Sequence, residues 1–269
     1  MTLPVDPALR ACYEACRRMQ RRHDPTYYWA TRRLPAELRP ATHALYGYVR
    51  TADELVDGPD RPAEPAARRA ALDAWEAELD EPRHPIALAL ADAGERHRLP
   101  LGELPPYMGS MRIDCDRVRI GSWDELDAYS DGSAGTVGRI MAVLLGVPER
   151  RRADFGRLGQ AFQLTNFLRD VREDRALDRV YLPASDLDDR GAVRAAAAEG
   201  VRRARALFGA AEPAVAEAPS SVRPGVRVAC AVYGQVLDRI EAADFDVLGG
   251  RTSAPPWSVA HAALRALVR

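Results

Sequence analysis

Lysine is absent from this 269-residue chain, and all 38 basic residues are arginine. Lysine-dependent mechanisms are therefore excluded, and any anion held here must be held by guanidinium forks. Cysteine is scarce: Cys12, Cys16, Cys115 and Cys230 form neither a zinc pattern nor a disulfide framework. Cys12 and Cys16 share one helical face and read as packing residues. The five histidines include no ligand-spaced pair. Aromatics make up 7% of a chain that is 47% hydrophobic and dominated by Ala, Leu and Arg, which favours helices over a β-sandwich. The longest apolar stretch, near 133–147, is broken by Arg139 and by Gly135, Gly138 and Gly146, too interrupted for a membrane span. The first residues lack the apolar core of a signal peptide, so a cytoplasmic protein is expected. A net charge of −1 argues against nucleic acid as a partner.

What is present is a succession of helical patterns. Capping residues, Pro and Gly predict helices over 6–22, 27–33, 35–57, 63–80, 85–98, 103–119, 123–147, 149–176, 192–209, 221–247 and 255–268. The Ala-, Pro- and Glu-rich stretch 210–221 reads as a loop. No internal repeat and no long linker divides the chain. Residues 1–269 thus read as one all-α domain, a helical bundle around a central cavity.

Two acidic stretches stand out within these helices: DELVD at 53–57 and DVRED at 170–174. Asp53 and Asp57, like Asp170 and Asp174, lie four residues apart, on one helical face about 6 Å apart along the axis. With 39 acidic residues, chance alone supplies roughly five or six such pairs, most on solvated faces. The neighbours distinguish these two. Tyr46, Val49, Arg50, Asp53 and Asp57 form one stripe, and Gln163, Asn166, Asp170 and Asp174 form another. A stripe mixing apolar and ionisable groups must bury charge, which is costly without a counter-charge or a metal. Hard Mg²⁺ prefers carboxylate oxygens and keeps positions open for water and phosphate oxygens. Two such pairs facing across a bundle therefore suggest a site that holds and ionises a diphosphate; the competing reading is two solvated helix faces.

The chain resembles the squalene/phytoene synthase family, from about residue 8 to 252. The likeness rests on TYYWATRRLP (26–35), YGYVRTADELVDG (46–58), MRIDCDRVRIGSWDEL (111–126), YSDGSAGTVG (129–138), QLTNFLRDVREDRALDRVYLP (163–183) and YGQVLDRIEAADFDVLGGR (233–251). RTADELVDGP and SAGTVG look most like phytoene synthases within that family. The resemblance implies an isoprenoid-synthase helical fold and head-to-head condensation of two prenyl diphosphates, most simply two C20 donors giving phytoene. Asp53, Asp57, Asp170 and Asp174 would be catalytic metal ligands, with Asn166 a further ligand and Gln163 beside it. Arg50, Arg169 and the late Arg251 would contact diphosphate, the first two having a structural salt bridge as their alternative role. Thr26 and the cavity tyrosines Tyr46 and Tyr233 would contact substrate, while Tyr129 and Tyr181 divide between packing and catalysis. Mg²⁺ is the expected cofactor, with Mn²⁺ as a substitute, and NADPH is not expected. Peripheral membrane contact would serve hydrocarbon release; the oligomeric state is left open.

The chain also departs from the family pattern. Pro25 stands where a basic residue is usual, Ser130 replaces a cysteine, and Asp178 replaces a glycine before Arg179. The segment after Pro183 is shortened, which leaves less protein to cover the cavity. Alternatives on the same fold are a C15-using presqualene or dehydrosqualene synthase and a single-substrate terpene synthase. A non-catalytic helical assembly factor is the alternative of another class.

Overall fold

Proline sets where many of the helices begin. Pro7, Pro25, Pro40, Pro65, Pro85, Pro105 and Pro224 each occupy the first or second position of a helix, where a missing N–H costs nothing. Asp6 and Asp24 add side-chain caps, accepting from the Ala8 and Tyr27 backbone N–H groups at 2.9 and 2.8 Å. In the computed structural model, which describes residues 6–249 apart from Leu187, the result is all-α. The helices are α1 (Pro7–His23), α2 (Pro25–Thr31), α3 (Arg39–Asp57), α4 (Pro65–Ala77), α5 (Pro85–His97) and α6 (Leu104–Ile113). They continue as α7 (Trp123–Ser130), α8 (Thr136–Leu144), α9 (Arg152–Ala176), α10 (Arg190–Glu217) and α11 (Arg223–Ala242). Among the described residues no helix is long and apolar enough to cross a membrane. The expected helix over 255–268 lies outside the described residues.

Four expectations are corrected by the structure. The helix expected from residue 35 starts at Arg39, after a turn. The helix expected over 103–119 ends at Ile113; residues 114–116 turn the chain out of the helix, and Arg119 forms an isolated parallel bridge with Val180. Ile120 N–H donates to the Val180 carbonyl at 2.9 Å, so this strand-like contact is decided by a partner some 60 residues away. The helix expected over 123–147 runs unbroken from Trp123 only to Leu144, and it carries a π-helical segment over Asp131–Gly135 between α7 and α8. Arg139 anchors that segment, donating to Asp131 at 2.8 Å and to Glu103 at 2.9 Å. Finally, 210–221 is no loop, because α10 continues through Pro213 to Glu217. Ala211, Ala214 and Val215 are buried there against Leu145, Phe155 and Val226, and this packing overrides the helix-breaking proline.

Three apolar cores fill the bundle. The first joins α1, α3, α4, α5 and α6 and includes Cys12, Cys16 and Cys115, the first two in the packing role expected of them. The second joins α7, α9, α10 and α11 with the 118–120 and 180–182 segments. The third gathers Leu34, α8 and the start of α9 against the end of α10 and the start of α11. Between the first and third runs an apolar cavity of about 300 Å³, with Val49, Val137, Met141, Leu158 and Phe162 among its lining.

Glycine sets how closely α8 and α9 approach beside that cavity. A Cβ on Gly138 would lie 2.7 Å from the Phe155 carbonyl oxygen, and one on Gly159 would strike the Ala134 carbonyl. The π segment and the close packing thus coincide. Gly138→Ala or Gly159→Ala is expected to cost about 2 kcal/mol as the helices part. Gly109→Ala, on α6 with nothing within 4 Å, should be neutral or stabilising. Thermal unfolding of the three variants checks this contrast.

Candidate active site

Helices α3 and α9 turn their polar stripes toward one another at the rim of the cavity. The carboxylates do not stand together as a bare cluster; each is met by a different partner. Asp53 Oδ1 lies 2.7 Å from the Tyr107 hydroxyl, itself buried and 3.0 Å from the Val49 carbonyl. Asp57 is paired with Arg179. Asp170 accepts from its neighbour Arg169, from Nε at 2.6 Å and Nη2 at 2.5 Å. Among the described residues, no three acidic, His or Cys side chains converge into a ready-made metal site.

Burial leaves its mark on the acids that lack a full counter-charge. Desolvation pushes Asp53 up to about 6, offset in part by the Tyr107 hydrogen bond and by Arg50. Asp174 is pushed up to about 7, first by burial and then by the negative charge of Asp170, with Arg179 opposing. Asp57 also acts on Asp174, so the two stripes are within electrostatic reach of each other.

Sequence reasoning missed a second layer beneath these groups. Asp114, buried and pushed up to about 7 mainly by desolvation, accepts from Tyr129 at 2.5 Å and from Tyr181 at 3.0 Å. The Asp114 carbonyl accepts from Arg179 Nη2 at 3.2 Å. Arg179 therefore links Asp57 to Asp114, with only a tenth of its side chain exposed. Burial and Asp114 raise both phenols far above their ordinary range, so Tyr129 and Tyr181 stay protonated and donate. Their rings lie 5.4 Å apart and pack on Phe167, so they fill the core and serve the polar layer together. Asp114 and Arg179 do sit in the family-like segments 111–126 and 163–183, but neither belongs to an acidic i,i+4 pair, which was the signal followed.

The remaining residues collect on the cavity side. Gln163, Tyr46 and Tyr233 line it, with Asp24 and Tyr27. Tyr46 and Tyr27 approach to 5.9 Å, and Tyr233 packs 4.4 Å from Phe162. Three buried atoms here have no hydrogen-bond partner: Arg50 Nε, a donor 3.4 Å from its ion-pair partner Glu54; Asn166 Oδ1, an acceptor; and Ser133 Oγ, on the cavity wall. The Thr26 side chain and Arg251 lie outside the described residues.

This donor set fits a hard divalent cation carrying a phosphate ligand. Asn166 Oδ1 and the under-compensated Asp53 and Asp174 offer oxygen atoms of the kind such a cation takes. Arg50 Nε, ion-paired with Glu54 at 3.4 Å but making no hydrogen bond, is a donor that a phosphate oxygen could use.

The elevated Asp174 fixes a direction for pH dependence. Its folded value lies above its ordinary 3.8, so the metal-free fold retains a proton that the unfolded chain releases. That contribution to stability is present near pH 4 and is lost as pH rises toward 7. Asp174→Asn should therefore raise the melting temperature of the metal-free protein more at pH 7.5 than at pH 5. Calorimetry at the two pH values checks it, and an equal gain at both would contradict the shift.

Comparison with known proteins bears on the fold and the family. Over 99% of its length the chain is 33% identical to phytoene synthase 3 of Zea mays, spanning 68% of that protein. It is 33% identical to a phytoene synthase of Arthrospira platensis, over 93% of the chain and 91% of the relative. A squalene synthase structure from Alicyclobacillus acidocaldarius superposes with a TM-score of 0.80 at 27% identity, covering 90% of this chain and 97% of the other. A dehydrosqualene synthase at 20% identity, TM-score 0.83 and 96% coverage of both chains shares the fold. The family model for squalene/phytoene synthases matches residues 20–258, and the chain belongs to that family of prenyltransferases.

Proposed function

We propose that this chain condenses two geranylgeranyl diphosphates head to head into phytoene, with Mg²⁺ held between α3 and α9. The observation that carries this reading is that Arg50 Nε and Asn166 Oδ1, buried without hydrogen bonds, sit on the two helices whose Tyr46, Val49 and Gln163 line an apolar cavity. A metal-bound diphosphate would satisfy both, while its prenyl chain entered the cavity. The phytoene synthase names of the full-length relatives favour C20 donors.

Asp53, Asp57, Asp170, Asp174 and Asn166 would hold the cation. Bound Mg²⁺ would supply positive charge to the departing diphosphate. Arg50 and Arg169 add guanidinium donors at the same place, and Gln163 an amide. Leaving of one diphosphate creates an allylic cation at C1 of its donor. The double bond nearest the diphosphate of the second molecule attacks that carbon, and loss of a proton closes a cyclopropane that keeps its own diphosphate. Departure of this second diphosphate starts rearrangement to the 1–1′ linked chain, and loss of another proton gives the triene. No hydride is consumed, so NADPH is not needed. Val137, Met141, Leu145, Phe155, Leu158 and Phe162 would keep the cavity wall dry around the cations. Asp114 would hold Tyr129 and Tyr181 as fixed donors beneath the metal-binding carboxylates.

Purified protein given geranylgeranyl diphosphate and Mg²⁺ or Mn²⁺, without NADPH, should release phytoene. The squalene synthase neighbour favours the second reading, condensation of C15 donors. Farnesyl diphosphate turned over in preference to the C20 donor would establish that reading instead. Asp53→Ala and Asp170→Ala should each lower turnover at least about a thousandfold, with unchanged circular dichroism. Loss of activity together with global unfolding would return these residues to a structural role. Mg²⁺ plus inorganic diphosphate should raise the melting temperature by more than the two separate shifts combined, because both helices share the bound pair. Merely additive shifts would contradict a joint site.

A further inference from the structure

A hydroxyl buried in a helix ordinarily satisfies itself on its own backbone, by donating to the carbonyl four residues back. Thr31, Thr42, Thr51, Thr136 and Thr165 all do so, at 2.7 to 3.0 Å. Ser133 does not. Its side chain is 8% exposed, and Oγ has no hydrogen-bond partner. The carbonyl it would use is that of Tyr129, to which Ser110 of α6 donates instead at 3.3 Å. Ser133 stands in the π segment, where the Thr136 N–H reaches five residues back to the Asp131 carbonyl, and it faces the cavity beside Ala134 and Val137. Segments of this kind recur at functional sites. A hydroxyl left unpaired in an apolar wall destabilises the fold, and alanine in its place would avoid that cost.

The residues on either side of Ser133 place it near the acidic rim. A Cβ on Gly132 would lie 3.3 Å from the Pro106 carbonyl and would strike Ser110, on the helix whose Tyr107 donates to Asp53. The Ala134 carbonyl lies against Gly159 of α9, one turn before Gln163 of the cavity wall. Thr31 and Thr42 also line the cavity, but their hydroxyls are already used on carbonyls. An intact prenyl chain offers Ser133 neither a hydrogen-bond donor nor a strong acceptor. An ionised chain offers positive charge, and a hydroxyl oxygen with two unused lone pairs attracts that charge strongly where water is scarce. The diphosphate has other donors, Arg50, Arg169 and Gln163, whereas the wall around Ser133 is Ala134, Val137 and Val49.

We propose that Ser133 Oγ stabilises the prenyl carbocation left by diphosphate departure, turning its lone pairs toward the positive carbon without forming a bond to it. This rests on the condensation reading above and adds to it a group in the cavity wall that acts on the cation instead of on the diphosphate.

Titration calorimetry on the full chain, with no turnover, tests this proposal. The probes are N,N-dimethyl geranylgeranyl amine, cationic at neutral pH, and its neutral carbon isostere, each added with Mg²⁺ and inorganic diphosphate. Ser133→Ala should weaken binding of the ammonium at least about fivefold. It should leave the affinities for the neutral isostere and for Mg²⁺ with diphosphate unchanged. The melting temperature of Ser133→Ala without probes should rise by about 2 °C, because an unpaired hydroxyl has been removed. Equal weakening of both prenyl probes would make Ser133 a packing residue, and weakening of Mg²⁺ with diphosphate would make it a diphosphate donor. Either result, an unchanged ammonium affinity, or a lowered melting temperature would overturn the proposal. Native protein that binds both probes, with Ser133→Ala indistinguishable from it, would remove this proposal and leave the condensation reading standing. Native protein that binds neither would overturn both.

Discussion

Keeping several carboxylates at the edge of an apolar cavity is the constraint on which this structure depends. Water would screen them, but the bundle excludes much of that water, so each acid needs a local partner or retains a proton. Arg179 neutralises Asp57, Arg169 neutralises Asp170, and Tyr107 donates to Asp53. Asp174 and Asp114 are left with raised pKa values, both to about 7. The site is thus balanced by arginine pairs and by protons retained on its buried acids.

The apolar half of the design follows from backbone proximity. Gly138 and Gly159 let α8 and α9 close on one another, while the π segment at Asp131–Gly135 lets the chain bend without ending. Ser133, Ala134 and Val137 then reach the cavity, whose opposite wall is α2 and α11. Substituting arginine for every lysine has a structural consequence too. Planar guanidinium groups can serve two acceptors at once, as Arg179 does for Asp57 and the Asp114 carbonyl and Arg139 for Asp131 and Glu103.

Local chemistry was enough to determine the all-α character, most helix starts and the two acidic stripes. Prolines, Asp caps and three-four spacing act within a turn or two of their own position, so they can be read without a fold. The packing role of Cys12 and Cys16 was legible for the same reason. Only the tertiary structure decided that α10 passes through Pro213, that the helical stretch after Trp123 carries a π segment, and that Arg119 and Ile120 lie beside Val180. Each depends on contacts with residues distant in the chain. The same holds for the polar layer: Asp114, Arg179 and Tyr107 carry no local signal, and their partners are 15 to 67 residues away or, for Arg179 beyond the end of α9, on α3. Spacing along one helix can nominate a carboxylate, but which cation, phenol or arginine answers its charge is settled by the packing of helices against each other.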